Sequence, residues 1–229
     1  MEKGMLIVID GTDGTGKTTQ TNLLIEQLRY KGFAVETADF PQYGKKSAGL
    51  VEEYLNGNFG TAEEVGPYRA SVFYAVDRYE ASPRIKQWVK QGKIVVSNRY
   101  VSANMGHQTG KIKDNKQRNI FLDWLDDLEF NIFGIPRPDV NILLFSSPEI
   151  NQELVDKKSK RDYIGGKKRD IHEDDKGHLA DAQDAFLYVA EKYGWIKIDC
   201  INRESGQMKE EEEIGQKIWE KIDKILRQQ

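Results

Sequence analysis

The chain has 229 residues, enough for one α/β domain with a sizeable core. Its 34 basic and 37 acidic side chains leave a net charge of −3, which argues against a nucleic-acid polymer or an anionic membrane as the main partner. Cys200 is the single cysteine, which excludes an internal disulfide, and His107, His172 and His178 have no spacing that suggests zinc.

Met5-Leu6-Ile7-Val8-Ile9 is a short, largely β-branched apolar run and predicts a buried strand. The next stretch, Gly11, Thr12, Asp13, Gly14, Thr15, Gly16, Lys17 and Thr18, fits G-x-x-x-x-G-K-[ST]. A helix is predicted from Thr18 to Tyr30, with Leu24 and Leu28 one turn apart. Strand, glycine loop and helix are the setting in which this pattern binds phosphate. Glycines let consecutive backbone N–H groups converge on one concavity, and the helix N-terminus adds its dipole. Lys17 can then reach the β- and γ-phosphates, and the Thr18 hydroxyl can complete a Mg²⁺ shell. These eight residues with Thr19 predict a nucleoside triphosphate site, with the Thr18 hydroxyl as a metal-side oxygen donor.

Phe33 to Ala38 predicts a second strand, followed by a loop through Phe40, Pro41, Gln42 and Tyr43. A short helix is expected over Gly49 to Asn56 and a long one over 67–91, with Pro67 near its start and Gly92 past its end. Lys93 to Ser97, Val140 to Phe145 and Trp195 to Ile201 read as three more strands. Ile120 to Phe130, Leu179 to Tyr193 and Glu211 to Leu226 read as amphipathic helices, the last by Ile214, Ile218, Ile222 and Leu226. Strands alternating with helices predict a parallel five-stranded sheet with helices on both faces, a P-loop nucleoside triphosphate-binding fold in a single domain over 1–229. No apolar run approaches 18 residues and the first strand begins almost at once, so a cytoplasmic protein without signal peptide or membrane span is expected.

Ligands of open α/β sheets collect beyond the carboxyl ends of the strands. Segments leaving those ends include the phosphate loop, the Phe40-Pro41 loop, the run from Asn98 to Gln108 and a basic stretch from Lys157 to Arg169. Gly165-Gly166 within that stretch suggests a mobile cover over about 157–175. Tyr74 and Arg78 lie four apart on the long helix and share a face, where a ring can stack on a base and a guanidinium can bond its edge. By spacing alone, Tyr74 in the core and Arg78 paired with Asp77 or Glu80 fits equally.

Taken together, the loop from Gly11 to Thr18, the Phe40-Pro41 turn, Asp77-Arg78-Tyr79-Glu80, Asn98-Arg99-Tyr100, the basic stretch and Lys197-Ile198-Asp199 resemble the thymidylate kinase family over nearly the whole chain. The resemblance implies transfer of the ATP γ-phosphoryl group to dTMP, a Mg²⁺ cofactor and a homodimer packed through helices. By the same resemblance Arg99 contacts the acceptor phosphate and the transferring group, Arg78 bonds the thymine carbonyl and Tyr74 stacks on the base. It also puts Asn104, His107 and Gln108 near base and sugar, Phe40 and Pro41 in the acceptor site, and Asp13 near the sugar hydroxyl and metal. In this family some members carry an arginine in the phosphate loop where Gly14 stands here. That directs attention to Arg161 or Arg169 as the lid cation that meets the transition state.

The chain departs from the family pattern at several points. Asn98 stands where an aspartate is usual, Ala103 replaces a common serine, and Gly106-His107 replaces a small residue followed by an aromatic hydroxyl. Gln42-Tyr43 lacks an arginine used for the acceptor phosphate, with Lys45 and Lys46 as the nearby cations. The rival readings are a kinase for another nucleoside monophosphate or a deoxynucleoside, and a non-catalytic nucleotide-binding regulator.

Overall fold

β1 (Met5–Gly11) is buried at all seven positions, and its alternating side chains enter two different cores. Met5, Ile7 and Ile9 face one layer of helices, while Leu6 and Val8 face the other. A strand covered on both faces has to be apolar throughout, which is why β1 reads as a continuous hydrophobic run. The computed structural model describes residues 4–147, 150, 176–202 and 204–228. Within them β1, β2 (Val35–Asp39), β3 (Ile94–Asn98), β4 (Val140–Phe145) and β5 (Ile196–Asp199) form one parallel sheet in the order β2-β3-β1-β4-β5. The expected five-stranded parallel sheet is therefore present.

On one face α1 (Lys17–Tyr30) packs Leu24, Ile25 and Leu28 against Ile214, Ile218 and Ile222 of the C-terminal helix, Glu211–Leu226. The other face carries α3 (Ala62–Lys90), α4 (Val101–Thr109), α5 (Asn115–Asp126) and α6 (Lys176–Tyr193), joined through Ile85, Met105, Phe121 and Val189. The C-terminal helix is α7, and α2 (Gly49–Leu55) packs Val51 and Tyr54 beside the start of α3. Among the described residues, no helix is long and apolar enough to cross a membrane.

Element limits differ from the sequence expectation where a local device intervenes. The long helix begins at Ala62 rather than near Pro67, because Thr61 and Glu64 form a reciprocal capping box, and it breaks at Gly66, whose φ is 73°. The helix expected over Ile120 to Phe130 is α5 followed by a π-helical turn, Asp127–Ile132. Wider turns of this kind re-aim side chains. The last strand ends at Asp199, and Ile201 instead makes an antiparallel bridge to Met208. The lid expected over 157–175 lies outside the described residues.

Candidate active site

β1 leads through α1 to β2 on one side of the sheet, while β4 leads to β5 on the other, so the carboxyl ends of the central strands open a crevice. The loop after β1 fills its floor. Gly11 has to be glycine because a Cβ there would stand 2.2 Å from the Leu144 carbonyl oxygen of β4. Thr15 Oγ1 donates to the Thr12 carbonyl at 2.8 Å, and Lys17 Nζ donates to the same carbonyl at 2.8 Å, so the loop is closed by its own side chains. Lys17 is buried and lies 3.8 Å from Asp13 Oδ1.

A cavity of about 530 Å³ extends from this loop toward α3 and α4. Asp13 through Thr19 line it at one end, and Phe40, Pro41, Tyr74, Arg78, Asn104, His107 and Gln108 line it at the other. Arg99 stands between the two groups. Of the site residues expected from sequence, Gly11 and Thr12 are buried behind the lining, and Arg161 and Arg169 lie outside the described residues.

Arg99 is the one non-glycine residue of the described chain with a positive φ, 64°. Its N–H donates to Ile9 O at 2.9 Å, and its carbonyl accepts from Ser97 Oγ at 2.6 Å. The turn between β3 and α4 is therefore over-determined, which is how strained backbone persists. Arg99 Nη2 pairs with Asp13 at 2.5 Å, and Nη1 lies 3.0 Å from His107 Nε2. Burial alone would lower the Arg99 pKa, but the Asp13 and Asp10 carboxylates outweigh it and hold the guanidinium above its ordinary value. Asp10 accepts from the Gly11 N–H and from Ser102 Oγ, at 2.8 and 2.7 Å, and burial raises its pKa against the pull of Arg99.

Arg78 does not pair with Asp77 or Glu80. Its Nε and Nη2 donate to Glu129, with both Nε contacts at 3.1 Å, and its Nη1 donates to the Tyr100 carbonyl at 3.3 Å. Asp77 is occupied instead by the Gln42 N–H and Ser47 Oγ, at 2.8 and 2.6 Å. A guanidinium has five N–H groups, so these partners leave one on each terminal nitrogen of Arg78, which lines the cavity. Tyr74 shares that lining and meets Tyr54 edge-on, with ring centroids 6.3 Å apart. The Phe40 ring is 3% exposed and packs on Tyr100, so it shapes the wall mainly as core.

A family model described as thymidylate kinase matches residues 9–211. The chain belongs to the thymidylate kinase family. It is 32% identical over 172 residues to a thymidylate kinase of Mycobacterium tuberculosis, covering 75% of this chain and 78% of that one. The human thymidylate kinase is 29% identical over 142 residues, covering 62% of this chain and 61% of that protein. A solved thymidylate kinase structure from Candida albicans superposes with a TM-score of 0.70 over 97% of this chain and 92% of that one, at 22% identity.

Two of the departures from the family pattern have structural causes. Gly106 is glycine because a Cβ there would meet the Phe186 ring at 2.4 Å, and His107 stacks edge-on against the same ring, with centroids 5.1 Å apart. Lys45, a nearby cation on the Gln42 side, is turned away: its Nζ donates to Gln42 Oε1 at 2.6 Å and lies 3.8 Å from Glu80.

Sequence reasoning missed Glu129, Asp10 and the chain leading into α7, whose Met208, Lys209 and Glu211 line the loop end of the cavity. Glu129 is fully buried and lies 51 residues from Arg78, so nothing local marks the pair. The π-helical turn delivers it. Glu129→Ala should cost about 3–5 kcal/mol of stability, since it leaves a buried guanidinium without its counter-charge. Urea unfolding measures this directly, and a loss below about 1 kcal/mol would mean that the pair is solvated like a surface bridge.

Proposed function

We propose that the chain transfers the γ-phosphoryl group of ATP to the 5′-phosphate of dTMP, giving dTDP and ADP. The observation that carries this reading is the single cavity joining the phosphate loop, with Lys17, to a pocket walled by Tyr74 and Arg78, with Arg99 at the junction. A donor at the loop and a nucleotide acceptor in the pocket would bring their phosphates together beside Arg99. The acceptor needs no general base, because the second pKa of a phosphate monoester is about 6 and its oxygen is ionised at neutral pH. What the protein contributes is alignment and compensation of charge on the transferring group, from Lys17 and Arg99.

The two remaining Arg78 N–H groups can only donate. A base carbonyl at that position satisfies them, whereas an exocyclic amine would set donor against donor in a buried site, a costly mismatch. This favours thymine over cytosine as the acceptor base.

Mg²⁺ is the metal that the reading calls for, and the donors present suit it. The Thr18 hydroxyl is exposed at the start of α1 and lines the cavity with the Asp39 carboxylate, both hard oxygen groups. Bound with the nucleotide, the metal would neutralise charge on the β- and γ-phosphates. Asp13, the expected second metal donor, is engaged by Arg99 and Lys17 in this structure. A lid carrying Arg161 or Arg169, a homodimer packed through helices and a cytoplasmic location belong to the same reading and rest on the sequence resemblance.

The test is a panel assay of Mg·ATP with dTMP, dUMP, dGMP, AMP and thymidine. The expected result is the highest kcat/KM with dTMP. Faster transfer to another acceptor, or no transfer by a folded protein, would overturn the reading.

A further inference from the structure

β3 ends in an amide, Asn98, which stands where the thymidylate kinase pattern usually has an aspartate. An amide can orient neighbouring groups but carries no charge to set against a divalent cation. In the sheet, the residue paired with Asn98 is Asp39, the last of β2. Neighbouring strands lie about 4.8 Å apart, so the two side chains leave the sheet edge side by side. The Asn98 side chain stands next to the Asp39 carboxylate across the strand pair, and its Nδ2 lies 3.5 Å from Thr18 Oγ1. Asn98 thus sits between the carboxylate and the hydroxyl. Asp39 is exposed, and with Thr18 and Asn98 it lines both the main cavity and an adjoining groove.

Charge bookkeeping singles out Asp39 among the carboxylates here. Asp13 is held by Arg99 and Lys17, and Asp10 is buried between the Gly11 N–H and Ser102. Asp39 makes no ion pair within 4 Å among the described residues, although Arg99 and Lys17 act on it from farther off. A bare carboxylate beside a polyphosphate repels it, unless a cation lies between them and turns the repulsion into attraction. Two oxygens at this point, Asn98 Oδ1 and Thr21 Oγ1, are also buried without a hydrogen-bond partner, and metal-bound water is a donor of the kind they lack.

We propose that Asp39, with the Thr18 hydroxyl, balances and orients the divalent cation of the bound nucleotide, taking over from the adjacent strand the charge that Asn98 does not carry. This rests on the phosphoryl-transfer reading above.

The experiment titrates Mn²⁺ into the protein saturated with a non-hydrolysable ATP analogue and follows bound metal by electron paramagnetic resonance. Asp39→Asn should weaken Mn²⁺ binding about 10- to 100-fold, the usual cost of losing a group that supports a metal's ligands. The analogue's affinity in EDTA should not fall. The double variant Asp39→Asn/Asn98→Asp, which moves the charge back to β3, should bind Mn²⁺ within about threefold of wild type. Unchanged Mn²⁺ affinity in a folded Asp39→Asn would overturn the proposal while leaving the kinase reading intact. A loss that Asn98→Asp does not restore would also overturn it, marking Asp39 as a structural residue. Failure of the wild type itself to bind the metal–nucleotide pair would overturn the kinase reading together with this one.

Discussion

Lys17→Ala should lower kcat by about 10²- to 10³-fold, or 2.7–4 kcal/mol, the usual effect of deleting one preorganised donor to developing charge. Lys17 opens α1 and is 7% exposed, and its ammonium is parked on the Thr12 carbonyl and Asp13, at the rim of the loop where phosphates would rest. The fold has little stake in it. Alanine is a good helix former, and the core of α1 is made by Leu24, Ile25 and Leu28. Far-UV circular dichroism and thermal unfolding should therefore stay near wild type while turnover collapses. A folded Lys17→Ala that turns over within about threefold of wild type would mean that the triphosphate does not lie across this loop.

Arg99 offers a test that separates activity from stability. As the cation at the junction of the two half-sites, it should be worth at least about 10³-fold in kcat, the lower end of what a transition-state arginine contributes. Both Arg99→Ala and Arg99→Gly should lose this. Their stabilities should differ, because position 99 is held at φ 64°, a left-handed conformation that costs an L-residue roughly 1–2 kcal/mol and glycine almost nothing. Arg99→Gly should thus be about 1 kcal/mol more stable to urea than Arg99→Ala, although both are inactive. Equal stability would show that the turn relaxes once the arginine is gone. Retained turnover in either variant would remove Arg99 from the chemistry.

The strain at Arg99 was invisible in the sequence, although the residue itself stood out. Asn98-Arg99-Tyr100 follows a β-branched run, and its place at a strand end already pointed to the crevice. The positive φ comes from tertiary hydrogen bonds to Ile9 of β1 and Ser97. Arg78 shows the converse. Its helical spacing from Tyr74 put both side chains on one face, and both line the cavity, but the acid beside it is Glu129 rather than Asp77 or Glu80. A helix specifies its own faces through its 3.6-residue period, while the partner of a face depends on which distant element packs there.

The same division runs through the whole molecule. The strand–loop–helix unit from Met5 to Tyr30 was legible from sequence because everything it needs is contiguous: apolar residues for a strand buried on both sides, glycine where β4 comes close, and a lysine at the head of a helix. So were the alternation of strands and helices and the apolar stripe of α7, since period and burial are local patterns. The sheet order β2-β3-β1-β4-β5 was not, and with it came the pairing of Asp39 with Asn98 and the burial of Glu129 against Arg78. Those contacts join residues 59 and 51 positions apart along the chain. Only the folded chain decides them, because strand neighbours and helix layers are chosen by the burial of the whole core, to which no short segment holds the key.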